Sequence, residues 1–141
     1  MIYLFDDKES RQQSYGWTNN KFELWSDVIV RIKDCSDYLS LEKQNIFSER
    51  NIIIYHESFS TCIPYEERRS YQAFHNALID GSELPGINIV IFSGSIASRA
   101  INKNVAHVPV TDMYANLECF LEHFREQEID FKYLLWGEEY K

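Results

Sequence analysis

The chain contains little glycine and little proline, five and three residues out of 141, and no repeat, low-complexity tract or interdomain linker is visible. Apolar residues are not scarce, since they make up 45% of the chain and aromatic residues 15%, which excludes a disordered acidic tail. No apolar run is long enough to span a membrane. Asp6 and Asp7 interrupt the first apolar segment too early for a signal peptide. We therefore expect a single domain over residues 1–141, with one hydrophobic core and no membrane partner.

Positive charge is also scarce, because 14 lysines and arginines stand against 22 aspartates and glutamates and leave a net charge of −8. A chain this acidic does not readily form a large basic surface, so no nucleic-acid partner is expected. Cysteine is rare and odd in number, and the positions Cys35, Cys62 and Cys119 lack the spacing of a zinc site. This use of cysteine indicates a reduced, cytoplasmic protein.

Short apolar runs alternate along the chain with segments whose apolar residues recur at helical spacing. Strands are predicted at 2–5, 38–41, 52–55, 87–92 and 105–110. Helices are predicted at 21–34, 42–49, 64–80, 98–102 and from 111 or 112 to about 124, whereas 10–20 reads as a loop or a loosely helical stretch. Continuous apolar strands alternating with helices are typical of a parallel sheet covered on both faces. The sequence thus predicts an α/β fold, a flavodoxin-like doubly wound sheet of five parallel strands with flanking helices.

The end of the chain is unusually apolar and aromatic, and we treat residues 129–141 as a C-terminal extension of the domain. One interpretation is that this extension lies along the sheet or packs on the last helix. The other is that it forms a contact surface, because exposed apolar patches usually mark interfaces. In that case Tyr133 and Trp136 are the expected anchors of a protein partner or a homodimer, since aromatic side chains dominate interface energetics.

Four segments in a defined order carry a resemblance to a known family. An apolar run ends in the acidic pair Asp6 and Asp7, a second ends at His56, a third ends at Ser93, and Val108 precedes a proline. With their separations, these segments resemble a response-regulator receiver domain over roughly residues 1–127. The resemblance implies a receiver-like fold and a phosphorylation site at the carboxyl ends of the strands.

The departures from the family pattern decide what the resemblance implies for function. Where the family has its phosphoacceptor aspartate this chain has His56, followed by Glu57, and where the family has a lysine it has Val108. A histidine cannot form an acyl phosphate, and valine cannot donate a charged hydrogen bond. The switch residue remains as Ser93, and the acidic pair remains as well. The degenerate receiver site therefore comprises Asp6, Asp7, His56, Glu57, Ser93 and Val108.

Each of these residues also has a purely structural interpretation. The acidic pair can solvate a strand end or cap a helix, His56 can be a half-buried histidine with its hydrogen bonds satisfied, and Ser93 can belong to an ordinary strand-to-helix turn. If the pair instead retains a cation, Asp6, Asp7 and Glu57 supply the hard oxygen ligands of a weak Mg²⁺ site. No other cofactor is expected.

The leading interpretation is a non-catalytic pseudo-receiver, a signalling or regulatory domain that acts through protein–protein interaction, with no catalytic residue assigned. A first alternative is an atypical phosphoacceptor or a small metal-dependent phosphotransfer enzyme that uses Asp6, Asp7 and Glu57. A second alternative is a structural subunit of a larger complex. The pseudo-receiver and the phosphotransfer alternative differ in whether the protein gains phosphate from a small donor. Isolation of the native complex tests whether the chain is a structural subunit.

Overall fold

The computed structural model describes residues 1–34, 37, 51–56, 59, 88–94, 97–100 and 105–137. The strands are β1 (Ile2–Phe5), β2 (Ile29–Ile32), β3 (Ile52–His56), β4 (Asn88–Ser93), β5 (Arg99–Ala100) and β6 (Val105–Pro109). The helices are α1 (Glu9–Ser14), α2 (Asn19–Leu24), α3 (Val110–Arg125) and α4 (Lys132–Trp136). None of these helices is both long and apolar enough to cross a membrane.

The six strands form a single, mostly parallel sheet in the order β2-β1-β3-β4-β6-β5. Every neighbouring pair from β2 to β6 is parallel, and only β5 runs antiparallel to its neighbour. All residues of β3 and β4 are buried, as expected for central strands with continuous apolar sequences. The expected α/β class is thus confirmed, together with the strands predicted at 2–5 and 52–55, the described part of the strand predicted at 87–92, and the strand predicted from 105, which ends at Pro109 and not at residue 110.

The prediction of five parallel strands did not include two of the described strands, β2 and the antiparallel edge strand β5. The helix expected at 98–102 is wrong over its described part, where Arg99 and Ala100 pair with His107 and Ala106. A segment this short has little intrinsic helical stability, so a partner strand nearby decides its conformation.

The single helix predicted over 21–34 is also wrong. Helix α2 ends at Leu24, a turn follows, and Ile29 begins β2, which lies parallel to β1. Helical spacing of the apolar residues was a misleading signal here, because two consecutive β-branched residues, Ile29 and Val30, favour a strand and pair with Ile2 and Tyr3. The strand expected at 38–41 and the helices expected at 42–49 and 64–80 lie outside the described residues.

The last long helix was predicted correctly. Helix α3 begins directly after β6, and its N-terminal cap is Pro109, not Thr111 or Asp112. Its apolar side chains cover one face of the sheet, where they meet the strand residues whose side chains alternate onto that face. The buried residues of α3 are Met113, Tyr114, Leu117, Phe120 and Leu121.

The C-terminal extension folds back onto α3 through the short helix α4. The side chain of Asn116 donates a hydrogen bond of 2.9 Å to the carbonyl oxygen of Leu134, and the rings of Phe131 and Phe120 lie 6.3 Å apart. Phe131, Leu134 and Leu135 are buried in the same hydrophobic cluster as the strands. The apolar part of the extension is therefore core, which agrees with the first of the two interpretations for these residues.

Candidate functional site

The carboxyl ends of neighbouring parallel strands bring most of the predicted site residues to one edge of the sheet. Asp6 follows β1, His56 is the last residue of β3, and Ser93 is the last residue of β4. In the strand register His56 lies beside Phe92. Val108 lies next to Phe92 on β6. Glu57 lies outside the described residues, so its place in the site remains a prediction.

Asp6 is a buried polar residue of this edge, with only 1% of its surface exposed. Its Oδ1 accepts hydrogen bonds from the backbone N–H of Lys8 at 3.0 Å and from Nη2 of Arg11 at 2.6 Å. Its Oδ2 accepts from Nε of Arg11 at 3.2 Å and from the hydroxyl of Tyr114. A carboxylate has about four lone-pair positions, so the acceptor capacity of Asp6 is filled.

Arg11 binds Asp6 through two nitrogens and also lies 3.5 Å from Oδ1 of Asp7. Such a two-point contact between guanidinium and carboxylate is strong and geometrically specific. Partial burial lowers the pKa of Arg11, but the hydrogen bond and the negative charge of Asp6 outweigh this effect, and the pKa is raised overall. The guanidinium is thus a fixed positive charge at the strand edge.

Tyr114 connects this edge to α3. Burial raises the pKa of its hydroxyl, and the negative charge of Asp6 and their hydrogen bond raise it further. The ring of Tyr15 stacks on the ring of Tyr114 with centroids 5.5 Å apart, and Nε1 of Trp17 donates to the carbonyl oxygen of Tyr114 at 3.1 Å. Tyr114 therefore stays protonated and acts as a donor to Asp6 over the ordinary pH range.

Gln12 is buried and makes a further hydrogen bond with Asp6, in this case with its backbone. Its amide nitrogen donates to the carbonyl oxygen of Asp6 at 3.1 Å, and its amide oxygen accepts from Nη1 of Arg31 at 3.3 Å. Arg31 also donates to the side chain of Asn19 at 2.9 Å and lies over the ring of Phe22. Helices α1 and α2 are thus tied to the ends of β1 and β2 through side chains.

Sequence reasoning did not place Arg11, Gln12 or Tyr114 at the site. The available signal was an arginine five residues after a strand-end aspartate, a spacing that many exposed arginines share. The hydroxyl of Tyr114 is distant in sequence from Asp6, at a separation of 108 residues, and no local pattern indicates that pair.

His56, Ser93 and Val108 are buried at the same edge. His56 is 7% exposed and meets the ring of Phe92 edge to face, with centroids 5.0 Å apart. Val108 is fully buried and belongs to the main hydrophobic cluster, and Ser93 is buried beside Pro109. A charged phosphoryl group at these buried positions would have to be desolvated.

Within the described parts of the chain, no three His, Cys, Asp or Glu residues lie together as a metal site. The acidic pair itself is split, because Asp6 is buried and Asp7 lies at the surface. A cation at Asp6 would have to compete with the guanidinium of Arg11 for the same oxygens. The weak Mg²⁺ site expected from Asp6, Asp7 and Glu57 stays a prediction.

Comparison of the chain with protein-family models, with curated proteins and with solved structures gives no match.

Proposed function

We propose that the protein is a non-catalytic pseudo-receiver, a signalling or regulatory domain that acts by binding another protein or a second copy of itself. The observation that carries the proposal is the order of the parallel strands. When the antiparallel β5 is set aside, the remaining strands lie in the order β2-β1-β3-β4-β6. With β6 counted as the fifth strand, this is the order 2-1-3-4-5 of flavodoxin-like doubly wound sheets. In that arrangement the site lies at the carboxyl ends of the strands, where Asp6, His56 and Ser93 are found.

The chemistry of this edge supports a binding function over catalysis. His56 replaces the carboxylate that an aspartyl-phosphate mechanism requires, and Val108 is a buried apolar side chain where the family has a cation. All acceptor positions of the Asp6 carboxylate are used within the chain. Asp6 is therefore poorly placed to act in the alternative function, a metal-dependent phosphotransfer that would use Asp6, Asp7 and Glu57.

The partner surface of this proposal includes the outer side of α4. Trp136 is 46% exposed, and the ring of Tyr133 stacks on that of His123 with centroids 3.5 Å apart. Tyr133 is partly buried and also packs against the core cluster, so Trp136 is the more exposed of the two expected anchors. The helix that carries Trp136 is itself anchored in the core by Leu134 and Leu135, which restricts its backbone before a partner binds and favours the use of Trp136 as an interface anchor.

The decisive experiment is incubation of the purified protein with acetyl phosphate and Mg²⁺, followed by intact-mass measurement. We expect no gain of a phosphoryl group in the wild type. The Glu57→Gln variant is the matched control, because it removes the candidate carboxylate acceptor that follows His56 in the sequence. A phosphoryl adduct on the wild type that Glu57→Gln abolishes would replace the pseudo-receiver by the phosphoacceptor alternative.

A further inference from the structure

We propose that a groove at the amino-terminal edge of the sheet is the docking site for a basic, amphipathic segment of a partner protein. The groove lies between the turn before β2 and the C-terminal end of α3, and its volume is about 800 Å³. It is lined by Asp27, Val28, Phe124, Arg125, Gln127 and Ile129. The proposal rests on the proposed function and adds to it the chemistry of the partner and the place where it binds.

The groove is remote from the site at the carboxyl ends of the strands. Val28 lies directly before β2, and its carbonyl oxygen accepts a hydrogen bond of 2.8 Å from the backbone N–H of Ile2, the first residue of β1. Arg125 is the last residue of α3, a helix that begins after the carboxyl end of β6 and covers the sheet. A partner in the groove therefore leaves the edge with Asp6 and His56 uncovered.

Ile129 contributes an exposed apolar side chain to the groove, with 47% of its surface open to solvent. Hydrogen bonds hold the backbone on both sides of it. Before it, α3 ends in a Schellman motif, in which the N–H of Glu128 donates to the carbonyl oxygen of His123 at 2.9 Å. After it, a side-chain oxygen of Asp130 accepts from the backbone N–H of Lys132 at 2.9 Å. An apolar side chain on a restrained backbone loses little conformational entropy when a partner covers it.

The shape of the groove fits part of a larger partner better than a small ligand. Small-molecule sites usually enclose most of the surface of their ligand. Here Val28 is buried and Phe124 is half-buried, whereas all the other lining residues are exposed. The floor is thus apolar and the walls are open, so one apolar side chain can enter while the rest of its segment lies across the surface.

The segment at the end of α3 carries an excess of negative charge, which selects a basic partner. Residues 122–130 contain one arginine and the acidic residues Glu122, Glu126, Glu128 and Asp130. Asp27 adds a further carboxylate from the turn before β2, and Lys132 is the next cation along the chain. Every copy of this chain has a net charge of −8, so a second copy is disfavoured as the occupant.

Arg125 does not reverse this charge, because its guanidinium is already engaged. Its Nη2 lies 2.5 Å from Oδ1 of Asp27, and its guanidinium carbon lies 4.1 Å from the centre of the Trp25 ring. The side chains of Asp27 and Arg125 are both about half exposed, and ion pairs at such positions are weak. A lysine or arginine of the partner can therefore share Asp27 while Arg125 stays on Trp25.

The test uses three fluorescently labelled peptides of about 15 residues with a helical repeat. The first has leucines on one face and lysines on the other. The second has glutamates in place of the lysines, and the third has serines in place of the leucines. Fluorescence anisotropy at low salt measures their affinity for the intact protein. We expect saturable binding of the first peptide and binding of the other two that is weaker by about tenfold or more.

Two variants assign this binding to the groove. Ile129→Ser removes the exposed apolar contact and should weaken binding of the lysine peptide about tenfold. Asp27→Asn removes an exposed charge and should weaken it about threefold. The matched controls are Leu24→Ser, because Leu24 is 77% exposed and does not line the groove, and Glu9→Gln, because Glu9 is an exposed acid at the start of α1. We expect both controls to bind like the wild type.

NMR of the isotope-labelled wild type locates the peptide without any substitution, and we expect the amide shifts at Val28 and at 124–129. The proposal is overturned if the lysine peptide does not bind saturably, if the glutamate peptide binds equally well, or if the shifts lie elsewhere. It also fails if Ile129→Ser has no more effect than Leu24→Ser. A homodimer that Ile129→Ser dissociates would assign the groove to a second copy and reject the basic partner.

None of these outcomes decides the pseudo-receiver proposal, which is judged by phosphoryl mass on the wild-type protein. A phosphoryl adduct together with peptide binding that depends on Ile129 would reject the proposed function and keep the groove as a docking site.

Discussion

The hydroxyl of Tyr114 on α3 donates a hydrogen bond to the carboxylate of Asp6 at the end of β1. This bond joins residues 108 positions apart in the sequence, and Arg11 binds the same carboxylate. All three side chains are at least partly buried, so the network is partly shielded from solvent. Hydrogen bonds and charges interact more strongly in such surroundings than in water.

The first prediction tests that network through Tyr114→Phe. The change removes one donor to a buried carboxylate, so we expect a loss of about 1.5–3 kcal/mol of unfolding free energy, as for hydrogen bonds to charged groups. Denaturant unfolding followed by circular dichroism measures the loss. The matched control is Tyr15→Phe on the ring stacked against Tyr114, where we expect a much smaller effect. Equal effects of the two changes would show that the hydrogen bond to Asp6 contributes nothing of its own.

The second prediction concerns the pH dependence of stability. The pKa of Tyr114 is raised in the folded protein by burial and by Asp6, so the folded state holds this proton more tightly than the unfolded state. The resulting stability is fully present below the unfolded value near pH 10 and is lost as the pH rises above it, by up to about 1.4 kcal/mol per pH unit. The difference between wild type and Tyr114→Phe should therefore shrink above pH 10. A constant difference from pH 8 to 11 would contradict this prediction.

The third prediction tests the assignment of β3 as a central strand. Ile53 is fully buried between β1 and β4, so Ile53→Asp places an uncompensated charge in the sheet. We expect a loss of several kcal/mol and an unfolded protein at room temperature. Ile53→Val is the control and should cost only about 0.5–1.5 kcal/mol. A native-like thermal melt of Ile53→Asp would reject the sheet assignment.

The fourth prediction separates core from surface in the C-terminal extension. Leu134 is fully buried against α3, so Leu134→Ala should cost about 2–5 kcal/mol. Deletion of 130–141 removes Phe131, Leu134 and Leu135 together and should abolish the cooperative melt. Calorimetric or circular-dichroism melting gives both results. A truncated protein with an unchanged melting midpoint would show that α4 contributes nothing to the fold.

The fifth prediction concerns the proposed partner surface. Trp136 is half exposed, so Trp136→Ser should shift the melting midpoint less than Leu134→Ser does. The same change should weaken association at least tenfold, because exposed aromatic anchors carry much of the energy of an interface. Light scattering over a concentration series reports a homodimer, and binding to the purified partner reports a heterologous complex. Unchanged association in Trp136→Ser would remove this residue from the interface.

Much of the fold was predictable because several elements have strong local signals. The short, β-branched apolar runs of β1, β3 and β4 favour buried strands, and the apolar face of α3 has a regular helical period. The segment from 21 to 34 carried two conflicting signals, helical spacing and a β-branched pair. Pairing with β1 resolved the conflict in favour of a strand at Ile29–Ile32.

The candidate site was predictable only in its location. The strand ends at Asp6, His56 and Ser93 follow from the sequence, because apolar strands end where polar residues begin and parallel strands end at one edge. The bonds of Asp6 were not predictable. They depend on where α1 turns back over the strand end and on how α3 crosses the sheet, and neither is set by local sequence.

The sequence by itself determined the α/β class, the buried strands and the residues available at their ends, because burial of apolar runs is the dominant driving force and follows the local pattern. Only the tertiary structure decided that Arg11 and Tyr114 fill the Asp6 carboxylate and that Leu134 and Leu135 enter the core while Trp136 stays half exposed. These contacts join residues far apart along the chain or across a turn. Their formation depends on the packing geometry of whole elements, which a linear pattern does not contain.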